Sequence, residues 1–140
     1  MPSSIKDPRA MRMDEPAKRV MIVDDAGLVR LYYREALEPA GFQVDEALNG
    51  LEALEKLLET PVDLLIVDVN MPQMDGLTFI ETLRREKLPL ASTPALITST
   101  ESGPHDMAAA RIAGANFYLV KPVSRETLVE FATMLCGTTA

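Results

Sequence analysis

The stretch "LLIVDVNMPQMDG", Leu64–Gly76, decides the fold. Leu64-Leu65-Ile66-Val67 has the apolar density of a strand buried on both faces. Asp68 closes it, and Asn70, Pro72, Asp75 and Gly76 break the chain into a loop. A carboxylate at the end of a dry strand must be solvated or paired. What it meets there depends on how the rest of the chain returns to the same place.

Outward from this strand the sequence alternates. Val20–Val23 is a β-branched apolar run closed by Asp24-Asp25. Leu28, Leu31, Tyr32, Glu35 and Ala36 recur at helical spacing, and Pro39-Ala40-Gly41 stops that helix. Phe42–Ala47 predicts a second, weaker strand, because Gln43, Asp45 and Glu46 are polar. Asn49-Gly50 is a turn. Leu51, Leu54 and Leu58 stripe a helix that ends before Pro61, and Leu77, Ile80 and Leu83 stripe the next. Pro94–Thr98 predicts a fourth strand and Asn116–Val120 a fifth, with an alanine-rich helix from Pro104 to Ala113 between them, ended by Gly114. Ser124 can cap a last helix striped by Leu128, Phe131, Ala132 and Leu135. Five strands alternating with five helices imply right-handed crossovers and a parallel sheet covered on both faces. Ligands of such sheets bind beyond the carboxyl ends of the strands.

Composition narrows the function. A chain of 140 residues, 47% hydrophobic, suits one domain with a real core. The single cysteine, Cys136, excludes an internal disulfide and fits a reducing, cytoplasmic setting. A net charge of -7 argues against a nucleic-acid surface. No apolar run approaches the roughly 20 residues that cross a membrane. Residues 1–17 are polar and Pro-bearing, without a signal core, and are expected to form a mobile tail ahead of a domain over 18–140.

The chemistry-bearing residues all fall at strand ends. Asp24 and Asp25 end the first strand, Asp68 the third, Thr98 the fourth and Lys121 the fifth. Three carboxylates on one shallow site repel; at an effective dielectric of about 20, one pair about 4 Å apart costs about 4 kcal/mol. A hard divalent cation removes that cost. Magnesium fits best, because it takes a few carboxylates and keeps waters for a phosphate to displace. Lys121 offers a point charge to an incoming anion and Thr98 a hydrogen-bond donor. Such a site can hold the oxygens of a phosphoryl group passing to Asp68. Singly, each residue has a plainer reading. Asp25 can cap a helix, Thr98 is a common strand residue, Lys121-Pro122 can be a simple strand exit and Tyr118 a strand aromatic. His105 reads as solvated, the methionines as core filler and Cys136 as packing. The plain readings leave the shared sheet edge unexplained.

The motifs "VMIVDD", "LLIVDVNMPQMDG", "PALITST" and "NFYLVKP", in this order, resemble the receiver domains of two-component response regulators over about Lys18 to Leu135. The resemblance implies a flavodoxin-like, doubly wound α/β fold with strand order 2-1-3-4-5, the order for which a chemotaxis receiver is a standard example. It implies Asp68 as phosphoacceptor, and Asp24, Asp25, Asp68 and the backbone carbonyl of Asn70 as the magnesium site. Thr98 resembles the switch hydroxyl, Ser99 the small residue beside the phosphoryl group, Lys121 the lysine that pairs with it, and Tyr118 the aromatic that swings inward behind Thr98. Lys121-Pro122 is expected to be cis. Ala26 and Val123 depart mildly from common usage, and Asn70 and Thr100 occupy the variable positions beside the site.

The function implied is a stand-alone receiver. It takes a phosphoryl group from a sensor histidine kinase or a histidine phosphotransfer protein, catalysing only its own phosphorylation and slow autodephosphorylation. It then signals by protein contact through the region Ser102 to Arg111, Tyr118 and the exposed side of the last helix. Two other readings compete. A degenerate receiver would serve only as a binding module. A magnesium-dependent aspartyl-nucleophile phosphatase would need a second aspartate at position 70, where this chain has Asn70.

Overall fold

The computed structural model describes residues 16–137. The predicted tail over 1–17 therefore lies, apart from Pro16 and Ala17, outside the described residues. In chain order the elements are β1 (Arg19–Val23), α1 (Gly27–Leu37), β2 (Gln43–Ala47), α2 (Gly50–Glu59), β3 (Leu64–Asp68), α3 (Gly76–Arg84), a short 3-10 turn (Leu90–Ser92), β4 (Ala95–Ser99), α4 (Pro104–Ala113), β5 (Phe117–Val120) and α5 (Arg125–Cys136). All strand pairs are parallel, in the order β2-β1-β3-β4-β5, so the predicted five-stranded flavodoxin-like architecture is the one observed.

The sheet separates two cores. On one face α1 and α5 cover Val20, Ile22, Leu64, Ile66 and Leu96. On the other α2, α3 and α4 cover Met21, Val23, Leu65, Val67, Ala95 and Ile97. The alternation of the central strands between these two clusters is the period-2 signature of strands buried on both sides. β3 is buried along its whole length. β2, at the edge, keeps its polar residues by pairing them: Asp45 with Arg19 at 2.9 Å, and Glu46 with Arg30 and Arg34, each at 2.7 Å.

Two predicted helix stripes are displaced. Leu28 is 83% exposed and Leu31 and Glu35 also face solvent; of the predicted stripe α1 buries Ala36, together with Tyr33 and Leu37, and Tyr32 packs against the core. In α2, Leu51 and Leu58 are exposed, while Ala53 and Leu57 are buried and Leu54 is partly so. Both helices are leucine-rich on more than one side, so helical spacing alone admits two stripes. Elsewhere the local signals hold. Asn49, Asp75 and Ser124 cap α2, α3 and α5 with their side-chain oxygens. Gly114 ends α4 at φ 114°, a backbone conformation that favours glycine. Asp25 is not a cap; α1 begins after Ala26 with no side-chain cap. Cys136 sits half-buried at the end of α5, where burial pushes its thiol up to about 11 and leaves it a poor nucleophile.

Candidate functional site

Parallel register brings the predicted residues to one edge. Val23 pairs with Val67, and Asp68 with Thr98, so Asp24 and Asp68 leave neighbouring strands at the same level. Asp24, Asp25 and Asp68 each offer a carboxylate oxygen, and these lie within 4.8 Å of one another. Asp24 and Asp68 are buried, whereas Asp25 faces solvent. The Asp24 carboxylate also accepts from the Ala26 N–H at 2.9 Å, which orients it.

Lys121 reaches into this cluster from the end of β5. Its Nζ lies 3.0 Å from Asp68 Oδ1 and 3.2 Å from Asp24 Oδ2. One ammonium thus bridges the two buried carboxylates. Burial raises the Asp68 carboxyl above its ordinary range, and Asp24 and Asp25 add repulsion, against the Lys121 hydrogen bond and charge that pull it back. For Lys121 burial works to lower the value, but the Asp68 hydrogen bond and the Asp24 and Asp68 charges prevail, and its pKa is raised. The Lys121–Pro122 peptide is cis, as is Leu88–Pro89.

The loop after Asp68 is closed by glycine. Gly76 N–H donates to the Val69 carbonyl at 2.9 Å, and a Cβ at Gly76 would collide with the Asp68 carbonyl oxygen. Any larger residue there displaces the backbone of the aspartate itself. Asn70 lies exposed on this loop, and Gln73 adopts φ 69°. The donor set is all hard oxygen: three carboxylates with an exposed loop backbone beside them. That chemistry fits magnesium.

Thr98 pairs in register with Leu119, and both belong to the α1/α5 face; Ile97 pairs with Tyr118 on the opposite face. Tyr118 therefore stands on the face opposite Thr98, with its hydroxyl bonded to Glu101. On the same face of β4, two residues beyond its register partner Ile97, is Ser99. Ser99 is 1% exposed; its Oγ accepts from the Glu101 N–H at 3.0 Å, and the Tyr118 hydroxyl donates to the Glu101 carbonyl at 2.7 Å. Thr98 is fully buried, and its Oγ1 has no hydrogen-bond partner. The polar group beside it is the phenol of Tyr33, a residue the sequence analysis passed over. Its signal was a tyrosine, rather than an aliphatic residue, on the inner side of α1.

Comparison with known proteins agrees with this geometry. The family model described as "Response regulator receiver domain" matches residues 20–133. Protein PilG of Pseudomonas aeruginosa is 32% identical over 119 residues, covering 85% of this chain and 87% of that protein. A protein-glutamate methylesterase/protein-glutamine glutaminase of Archaeoglobus fulgidus is 41% identical over 107 residues, but the match covers only 30% of it. The crystal structure of chemotaxis protein CheY4 of Vibrio cholerae superimposes with a TM-score of 0.80 at 34% identity, covering 86% of this chain and 99% of that one. With the matched model spanning β1 to α5 and the acidic cluster at the sheet edge, this chain belongs to the response regulator receiver domain family.

Proposed function

We propose that Asp68 accepts a phosphoryl group from a phosphohistidine of a sensor kinase or phosphotransfer protein, and that the chain then signals in the cytoplasm by a protein contact. The observation that carries this reading is the bridge from Lys121 to Asp68 and Asp24, set beside the exposed carboxylate of Asp25. Asp68 supplies the nucleophilic oxygen. Its position is fixed by a strand buried along its whole length and by the Gly76 closure. Asp24, Asp25, Asp68 and the Asn70 carbonyl would hold magnesium, which, when bound, neutralises charge on the transferred group. Lys121 pairs with a phosphoryl oxygen in place of one of its carboxylate contacts.

The route outward runs through Thr98, which is in register with Asp68. Drawn toward the phosphoryl group, it carries the neighbouring Ser99, whose hydroxyl accepts from the Glu101 N–H while the same residue's carbonyl holds the Tyr118 hydroxyl. A shift at Ser99 thus reaches β5 and the start of α4. The partner surface is built from α4, β5 and α5, where Met107, Ile112, Phe117, Val120 and Met134 are exposed. This is a population shift between two packings, limited by how differently the two bind the phosphoryl group.

The test is transfer of label from an autophosphorylated sensor histidine kinase. Label is expected to move to the wild type and not to Asp68→Asn. Turnover of added phosphoesters would favour a phosphatase, and an inert wild type would favour a binding module.

A further inference from the structure

Within the acidic group, Asp25 is the carboxylate that nothing holds. It faces solvent and takes no hydrogen bond among the described residues, whereas the Asp24 carboxylate accepts from the Ala26 N–H and from Lys121. The direction of the Asp25 side chain is therefore set by its backbone, and first of all by the Asp24–Asp25 peptide. Both sides of Asp24 are tied. Its N–H donates to the Ala47 carbonyl at the end of β2, at 3.1 Å, and its carbonyl accepts from Arg30 Nη1 at 2.7 Å. Helix α1 begins with no side-chain cap, so the loop into it is fastened by the Asp24 carboxylate and by Arg30, which bonds back from the end of the first turn.

Arg30 is itself aimed by Glu46. The Glu46 carboxylate accepts from Arg30 Nε through one oxygen and from Arg34 Nε through the other, each at 2.7 Å. The Arg30 side chain is only 15% exposed, so this pair is held more firmly than a solvated surface contact. Arg34 uses its other donors on Glu38 and on the Val44 carbonyl; Arg30 is the one of the two that reaches the site. A guanidinium is a rigid planar fork, so fixing its Nε on Glu46 fixes where Nη1 meets the Asp24 carbonyl. We propose that Arg30, aimed by Glu46, is a positioning residue for the magnesium site: it sets the Asp24–Asp25 peptide so that the Asp25 carboxylate meets the ion together with Asp24 and Asp68. Glu46 has a second effect, because it cancels the charge of a guanidinium that would otherwise repel the cation. The inference rests on the acidic group as a magnesium site, and not on which residue takes the phosphoryl group.

The experiment measures magnesium affinity by calorimetry for wild type, Arg30→Met, Arg30→Lys, Glu46→Gln and the Arg30→Met/Glu46→Gln double variant. Charge and positioning predict opposite signs. Arg30→Met removes a cation and frees an anion, so charge alone would tighten magnesium binding. Positioning predicts that Arg30→Met binds magnesium about tenfold more weakly, the scale of losing the outer partner of a metal ligand. Arg30→Lys keeps the charge without the fork and should also bind more weakly. Glu46→Gln should weaken binding, and the double variant should be no weaker than Arg30→Met, because Glu46 acts through Arg30. In labelling with acetyl phosphate, the magnesium concentration for half-maximal rate should rise by the same factor in Arg30→Met, while the rate at saturating magnesium stays at the wild-type level. A purely structural role would lower the urea midpoint and leave magnesium affinity unchanged. Wild-type or tighter affinity in a folded Arg30→Met would overturn the inference. If Arg30→Met fails to fold, Arg30→Lys decides in the same way. A wild type that binds no magnesium would overturn the metal reading and this inference with it. A wild type that binds magnesium but takes no label would defeat the phosphoacceptor reading alone, and the affinities would still judge Arg30.

Discussion

Ser99 and Tyr118 are tied to opposite ends of one residue: Ser99 Oγ accepts from the Glu101 N–H at 3.0 Å, and the Tyr118 hydroxyl donates to the Glu101 carbonyl at 2.7 Å. Glu101 follows the end of β4, so this link joins the site to the segment leading into α4. Ser99→Ala is expected to accept a phosphoryl group but to lose most of the response at Tyr118. Chemical shifts recorded with and without beryllofluoride, a phosphoryl mimic, check this. If Ser99→Ala keeps the full set of Tyr118 and α4 shifts, the route runs elsewhere.

Magnesium should stabilise the fold by binding the native state in preference to the unfolded chain. At a concentration about 100 times the dissociation constant the gain is about 2.7 kcal/mol. Asp25 is exposed, so Asp25→Asn should leave the metal-free melting temperature nearly unchanged while removing most of the magnesium response. Thermal melts with and without the metal measure both.

The pH dependence follows from the two raised groups. For Asp68, burial and its acidic neighbours raise the folded-state value above the unfolded one. The native state then holds more protons, so this group's contribution falls as pH climbs out of the acid range. Lys121 is raised by Asp68 and Asp24 against the effect of burial. Its contribution is present at neutral pH and is lost as pH rises through its folded value. Metal-free melts of Asp68→Asn should show a smaller decline out of the acid range, and those of Lys121→Met a smaller alkaline loss.

Arg84 is expected to matter for stability alone. Its guanidinium donates to the carbonyls of Gly114 at 3.0 Å, Ala91 at 3.0 Å and Thr93 at 2.7 Å, and to Asn116 Oδ1 at 3.1 Å. It therefore ties α3 to both segments that flank β4 and β5, at the end of the sheet away from the site. Arg84→Met should cost about 2–3 kcal/mol, because carbonyls lose a charged donor. Urea unfolding measures the loss, and the labelling rate of Asp68 should not change.

The sequence made the strands legible because three of them run into a residue that a strand would not otherwise choose. Asp24, Asp68 and Lys121 could be placed at one edge from topology alone. So could Thr98, but not the face that each hydroxyl takes. Thr98 and Ser99 are adjacent, and which one faces Tyr118 depends on the register of β4 with β5, which no local pattern encodes. The same limit moved the stripes of α1 and α2, where Leu28 and Leu58 are leucines on the solvent side. Arg84 was missed because its role arises from partners that are distant in sequence, Gly114 and Asn116 among them.

The most direct test of the central claim is the intact mass of wild type and Asp68→Asn after incubation with acetyl phosphate and magnesium. One added phosphoryl group on the wild type and none on a folded Asp68→Asn is the predicted result. Equal labelling of the two proteins would contradict it and move the phosphoacceptor away from the end of β3.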